Sequence, residues 1–258
     1  KKDWRVKMEG IEKLKKIIDE SDNIVFFGGA GVSTESGVPD FRSKDGLYNQ
    51  KDVRFDMYRP EYLLSHSCLM NEPKVYFEFH RQKMDTRDIE PNNAHKYLAR
   101  LEELGKLRGV VTQNIDGLHQ KAGSNKVYEI HGSALRNYCL KCGKKYPKDY
   151  IFETNEPIPH CDCGGMIRPD ITLYEEGLPE DAVSGAVNAI AKADVLIIGG
   201  TSLTVYPAAS YIDYFRGKYL VIINQSELNI RRSDNVLIIR EKIGQVFTEL
   251  ARLQNIDL

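Results

Sequence analysis

The chain has 258 residues, a formal net charge of −1 and five cysteines. A near-neutral balance gives no overall reason to expect nucleic acid or an anionic membrane surface as a partner. No apolar run approaches the roughly 20 residues that a bilayer span requires. The first residues, Lys1 to Lys7, are charged with no apolar stretch behind them, and four of the five cysteines fall in two close pairs. Together these features predict a cytoplasmic protein with a metal site rather than disulfides. A monomer is expected, and the basic runs Lys144-Lys145 and Arg231-Arg232 read as solvated surface.

In chain order, Ile11, Leu14, Ile17 and Ile18 recur at helical spacing. The run Ile24-Val25-Phe26-Phe27 then ends in Gly28-Gly29-Ala30-Gly31. Four apolar residues bounded by glycines predict a strand buried on both faces, as in a parallel sheet. From about Asp45 to Arg87 the pattern is largely helical, with Pro60 and Pro73 where helices could begin. A helix is expected from Ala94 to Leu104, then strands at Arg108–Thr112 and Val127–Ile130. Turn formers and the cysteine pairs fill the stretch from about Arg136 to Arg168. Beyond it the sequence predicts a helix at Pro179–Lys192, a strand at Val195–Ile198 and a helix at Pro207–Phe215. Strands at Tyr219–Ile223 and Val236–Ile239 and a helix at Ile243–Leu253 complete the set. Strand alternating with helix predicts an α/β fold with a doubly wound, Rossmann-like parallel sheet. That domain would comprise residues 8–44, 88–135 and 169–258. A helical insertion (45–87) and a zinc-binding module (136–168) would build a second, smaller lobe.

The loop Gly29-Ala30-Gly31-Val32-Ser33-Thr34 follows a strand, where such sheets bind phosphates, but Thr34 replaces the third glycine of G-x-G-x-x-G. Taken alone, it supports dinucleotide binding no better than a tight structural turn. Cys139 and Cys142 have the spacing of half a zinc knuckle. The second half, His160-Cys161-Asp162-Cys163, allows two ligand pairs: Cys161 with Cys163, or His160 with Cys163. Cys68 reads as a small apolar packing residue.

Four segments carry a more specific signal: Gly29 to Ser43 (GAGVSTESGVPDFRS), Thr112 to His119 (TQNIDGLH), Tyr128 to Ser133 (YEIHGS), and Gly200 to Leu203 (GTSL) followed by Val205 to Ala209 (VYPAA). In this order they resemble the signatures of the sirtuins of bacterial type, NAD-dependent protein-lysine deacylases. The resemblance runs from about residue 23 to Asn224. It implies that NAD is a co-substrate: the acyl oxygen of an acyl-lysine attacks C1′ of the nicotinamide ribose and nicotinamide leaves. A ribose hydroxyl then attacks, and hydrolysis yields free lysine and acyl-ADP-ribose.

The same resemblance implies residue roles. His131 is the expected base for the ribose hydroxyl, a task suited to an imidazole near neutral pH. Asp116 would accept from the nicotinamide carboxamide, Asn114 would hold the ribose or an ordered water, and Gln113 would bind a ribose hydroxyl. Asn114 and Asp116 also suit capping of a helix starting near Gly117. Arg42 would face the phosphates, Phe41 would cover the reacting ribose, and Asp40 would order their loop. Gly29, Ala30, Gly31 and Ser33, with Gly200, Thr201 and Ser202, would line the phosphates and riboses. Asn224 would contact the adenosine ribose. His95 is expected to satisfy a buried polar group, and His66, His80 and His119 to serve surface or packing roles.

Ile171, Thr172, Leu173, Tyr174 and Glu175 occupy the place where many relatives read close to F-F-G-E and pair with the substrate backbone as an added strand. Glu175 and Glu176 suggest a preference for basic flanking residues. The Tyr-x-x-Arg pair of succinyl- and malonyl-specific relatives is absent at Phe79-His80-Arg81-Gln82, so a neutral acyl group, acetyl, is expected. Pro159-x-Cys161 matches the family's usual lead-in, which favours Cys139, Cys142, Cys161 and Cys163 as ligands of a structural zinc. Gly28 stands where relatives often carry Thr. Mono-ADP-ribosyl transfer is the runner-up, followed by a non-catalytic NAD-sensing module; Asn114-Ile115-Asp116 speaks against hydride transfer.

Overall fold

The computed structural model describes residues 2–228 and 233–258, with side chains from Lys7 onward; Arg231-Arg232 lies outside the described residues. Helix α1 (Lys2–Asp19) leads into β1 (Ile24–Gly28). Short helices α2 (Pro60–Leu63) and α3 (His66–Asn71) and the longer α4 (Pro73–Lys83) follow, two of them opening on the prolines anticipated from sequence. Next come α5 (Asn93–Glu103), β2 (Leu107–Thr112), α6 (Leu118–Lys121) and β3 (Val127–Glu129). The cysteine region contributes β4 (Gly132–Cys139), β5 (Lys145–Tyr146), α7 (Tyr150–Glu153) and β6 (Ile167–Ile171). The chain ends with α8 (Glu180–Lys192), β7 (Val195–Gly199), β8 (Tyr219–Ile223), β9 (Val236–Ile239) and α9 (Ile243–Gln254).

Six strands form one sheet in the order β3-β2-β1-β7-β8-β9, every pairing parallel. All six strands expected from sequence are in it. The uninterrupted apolar run of β1 follows from its central place, because alternate side chains enter two different cores. Phe26 packs under α1, α5 and α9 with Leu14, Leu98 and Phe247. Val25 and Phe27 pack on the other face with Ile190 of α8. Each such side chain contributes about 1.5–3 kcal/mol by leaving water.

Chain order reverses beside β1, with β2 on one side and β7 on the other. Such a reversal opens a crevice at the carboxyl ends of the strands. Four stretches of residues expected at a site lie there: Gly29–Ser33 beyond β1, Gln113–Asp116 beyond β2, His131 beyond β3, and Gly200–Ser202 beyond β7.

The second sheet is antiparallel, in the order β5-β4-β6, and its longer strands run across positions 135–136 and 168–169. It shares a core with the helical insertion, in which Cys68, Leu69, Tyr76 and Phe77 meet Ala134, Ile151 and Ile171. The helix expected at Pro207–Phe215 is instead a 3-10 segment, Ala208–Tyr214. The Ser210 amide and hydroxyl both donate to the Pro207 carbonyl, which draws the turn to the tighter spacing. Among the described residues no helix is long and apolar enough to cross a membrane.

Candidate active site

The glycine-rich loop approaches β7 at backbone contact. The Gly31 amide donates to the Gly200 carbonyl at 2.8 Å, and a Cβ on Gly31 would lie 2.8 Å from the Gly200 Cα. Only glycine permits that approach. Ala30 and Gly31 sit in a single 3-10 turn, so the third glycine of the Rossmann template has no counterpart to serve.

Behind this loop lies a closed polar network. Ser33 is 1% exposed, and its hydroxyl donates to Asp116 Oδ2 at 2.7 Å. The Asn92 amide donates to His95 Nδ1 at 3.2 Å, which fixes the proton on Nε2. That Nε2–H points to Ser33 Oγ at 3.3 Å, and Asn114 Nδ2 donates to the same oxygen at 3.2 Å. The Ser33 hydroxyl is thereby fully engaged. Ser33 lines the first cavity, and its hydroxyl orients Asp116 and Asn114 from beneath. His95 does satisfy a buried polar group, and with Asn92 it completes the capping box of α5.

Asp116 is 7% exposed, and burial raises its carboxyl above the ordinary carboxylate range, against the Ser33 hydroxyl and the Leu118 amide. Its Oδ1 accepts from Leu118 N at 3.0 Å, so it also steadies the start of α6. A lone pair remains on each oxygen for a ligand amide. The second Asn114 amide hydrogen goes to the Gly29 carbonyl at 3.0 Å, leaving only its carbonyl oxygen to offer. Gln113 Oε1 accepts from Thr201 Oγ1 at 2.8 Å, which leaves its NH2 as the free group.

His131 lies two residues beyond the end of β3. Its Nδ1 donates to the Gln113 carbonyl at 2.9 Å, so Nε2 carries the free lone pair. Burial lowers its pKa below the ordinary 6.5, with the Gln113 carbonyl acting in the opposite sense, and the ring is neutral at pH 7. The His131 carbonyl accepts from the Thr172 amide at 2.8 Å. Gly132 has φ +75°, and a Cβ there would strike the Asp170 carbonyl, so glycine is required after the base. Arg136 braces this turn, reaching Glu129 Oε2 at 2.6 Å and Asp170 Oδ2 at 3.0 Å.

Two cavities, of about 270 Å³ and about 470 Å³, meet at a shared wall of Ala30, Phe41, Arg42, Gln113, Asn114 and His131. The first continues past Asp116 toward Ile171–Glu176 and the apolar Leu47, Leu64 and Met84. The second continues past Gly31, Thr201 and Ser202 to Asn224. Asp40 orders its loop by accepting from the Ser43 amide and hydroxyl. Phe41 packs on Tyr48 with ring centroids 5.5 Å apart. Arg42 lies at the junction, its Nη2 donating to Tyr174 Oη at 3.1 Å.

The segment expected to pair with a peptide has most of its amides engaged. Thr172 N bonds the His131 carbonyl, Leu173 N bonds Glu176 Oε2, and Tyr174 N bonds the Leu64 carbonyl. Among the described residues the Thr172 carbonyl and both backbone groups of Glu175 carry no intramolecular partner and remain for an added strand. Both carboxylates expected to favour basic residues have partners within the chain. Glu175, at φ +75°, turns its carboxylate to the Ser67 amide and hydroxyl. Glu176 forms a two-pronged pair with Arg168, which is 3% exposed, and also meets His66 Nδ1 at 2.9 Å.

The Sγ atoms of Cys139, Cys142, Cys161 and Cys163 lie within 4.8 Å of one another. Four thiolates gathered in this way fit a tetrahedral structural zinc with no open position. His160 is outside the cluster, its Nδ1 3.6 Å from Glu156. Cys68 is fully buried, and burial pushes its thiol up to about 12.

Tyr48, Arg136 and Arg168 were not singled out as site residues from sequence. Tyr48 and Tyr174 are 126 positions apart, and Arg136 and Asp170 are 34 apart, so no local pattern marks them.

A doubly wound sheet, a glycine loop at its switch point, and a neutral imidazole between two cavities define an enzyme of the dinucleotide-using α/β class. The Sir2 family model matches residues 29–207. An NAD-dependent protein deacetylase of Clostridium acetobutylicum is 53% identical over 240 residues, 93% of this chain and 97% of the relative. A Sir2 homolog–NAD complex superposes with TM-score 0.83 at 38% identity, over 95% of this chain and 93% of that one. A Sir2 variant with a deacetylated p53 peptide and 3′-O-acetyl ADP ribose gives TM-score 0.85 at 33% identity, over 96% and 99%. The chain belongs to the Sir2 family.

Proposed function

We infer that this chain is an NAD-dependent protein-lysine deacetylase, transferring a neutral acyl group from lysine to ADP-ribose with release of nicotinamide. The observation that carries the reading is His131, held by the Gln113 carbonyl so that Nε2 faces the junction of two cavities in a Sir2-family chain. Such chemistry needs a base for a ribose hydroxyl and a pocket poor in water. The neutral imidazole supplies the first, and Phe41 with Ile115 and Val205 lines the second.

Asp116 and the Asn114 carbonyl oxygen would orient the carboxamide and the ribose or its water. The free amide of Gln113 would hold a ribose hydroxyl, and Asn224 the adenosine ribose. The relatives bear directly on the substrates: one is crystallised with NAD and another with a deacetylated peptide beside an acetylated ADP-ribose. We assign the same classes here, with Thr172 and Glu175 presenting backbone to the peptide. Four metal-binding thiols require a reducing compartment, which supports a cytoplasmic location.

Mass spectrometry of an acetyl-lysine peptide, incubated with and without NAD, tests the reading. Loss of acetyl only with NAD, with nicotinamide and acetyl-ADP-ribose released, is expected, and His131→Ala should abolish it. ADP-ribose left on protein would replace the reading with ADP-ribosyl transfer. Absence of NAD turnover would overturn it.

A further inference from the structure

We propose that Tyr174 is a positioning residue for the dinucleotide site: its hydroxyl, presented from the peptide-binding segment, fixes the Arg42 guanidinium where the two cavities meet. This rests on the reading of NAD as co-substrate.

The guanidinium is held on two sides by phenols. Arg42 Nη2 donates to Tyr174 Oη at 3.1 Å, and its Cζ lies 5.4 Å from the centroid of the Tyr48 ring. The two hydroxyls are themselves 3.2 Å apart, so the three side chains form one connected group. Among the described residues no carboxylate lies within ion-pair distance of Arg42. The choice of partner matters. A carboxylate would neutralise the guanidinium and weaken its pull on an anionic ligand, whereas neutral hydroxyls orient the charge and leave it unspent. Arg42 lines both cavities, and the larger also holds Gly31, Thr201 and Ser202.

Tyr174 can act as a fixed post because its own backbone is anchored. Its amide donates to the Leu64 carbonyl and its carbonyl accepts from the His66 amide, both at 3.0 Å. On either side lie the unpaired backbone groups of Thr172 and Glu175. A peptide strand docking there would touch the residue that holds Arg42, so peptide binding and dinucleotide binding are coupled through one hydroxyl.

The test is calorimetric titration of NAD into the full chain, as wild type, Tyr174→Phe, Arg42→Ala and the double variant. Tyr174→Phe keeps the ring, and loss of one charge-assisted hydrogen bond should weaken NAD binding about three- to tenfold. In steady state the KM for NAD should rise by a similar factor while kcat changes less. In the Arg42→Ala background the second substitution should add nothing. Tyr48→Phe should weaken NAD binding in the same sense by about two- to threefold, and it serves as the test if Tyr174→Phe does not fold. Unchanged NAD affinity in the phenylalanine variants, or an equal loss with Arg42 already absent, would overturn the proposal. Wild-type protein that binds no NAD would instead overturn the function on which the proposal rests.

Discussion

Ser33 shows how a residue one step removed from a ligand can govern a site. Its hydroxyl is the last link from the Asn92 amide through His95 to Asp116. Ser33→Ala should leave a buried carboxylate short of one donor and cost about 1–3 kcal/mol. For a chain of this size that is a fall in Tm of about 2–4 °C per kcal/mol, readable by calorimetry. The Asp116 pKa should rise further in the variant. At His131 the folded pKa lies below 6.5 because burial disfavours the imidazolium. The base therefore stays neutral to lower pH than a free imidazole, and activity is lost as pH falls through the depressed value. A profile of kcat/KM against pH should place its acid limb below 6.5; a limb at or above it would exclude His131 as the titrating group. The linked stability has the same sign: it is present above 6.5 and declines as the folded protein is forced to take up the proton.

At the scale of elements, the peptide-binding segment depends on the pair between Glu176 and Arg168. Burial alone would raise the Glu176 pKa, but Arg168, the Leu173 amide and His66 hold it at about 2. Its stabilisation is thus present above the ordinary 4.5 and is lost as pH drops from there through about 2. Glu176→Gln leaves Arg168 buried without a counter-charge and should destabilise the fold by about 3–5 kcal/mol. The KM for peptide should rise with it, as denaturant melts and kinetics would show. In the small sheet, metal analysis should find one zinc per chain; Cys161→Ser should lose it and His160→Ala should keep it. The elements differ in how far sequence announced them. The central strands β1 and β7 were legible because burial on both faces makes each an apolar run. Strands β4 and β6 were not, because Asn137, Arg168, Pro169 and Asp170 interrupt any alternation, and Pro169 is unusual inside a strand. Gly28 could be noticed but not explained from sequence. In three dimensions, a Cβ there would lie 2.5 Å from the Phe26 ring.

Across the whole molecule, the site is assembled at the carboxyl edge of one sheet and closed by the second lobe. The residues of the four signature segments were legible because each sits in a continuous stretch of chain. Their division of labour was not, since Ser33, His95 and Asp116 come from three separate segments and only folding shows that Ser33 is spent internally. Ligands that bridge the lobes should stabilise the molecule as a unit. NAD at one hundred times its Kd should add about 2.7 kcal/mol to unfolding, seen as a concentration-dependent rise in Tm. The small sheet extends this unity to a further kind of chemistry. Strand β4 starts one residue after His131 and ends at Cys139, and β6 ends at Ile171, next to the peptide segment. Cys139, one of the four metal-binding thiols, and the base therefore lie at opposite ends of one strand. Peroxide that oxidises those sulfurs and ejects zinc should loosen the strand and silence turnover, with every atom around His131 chemically intact. Inactivation should then follow zinc release in time and be reversed by reductant and zinc together, making this lobe a fuse against oxidative stress.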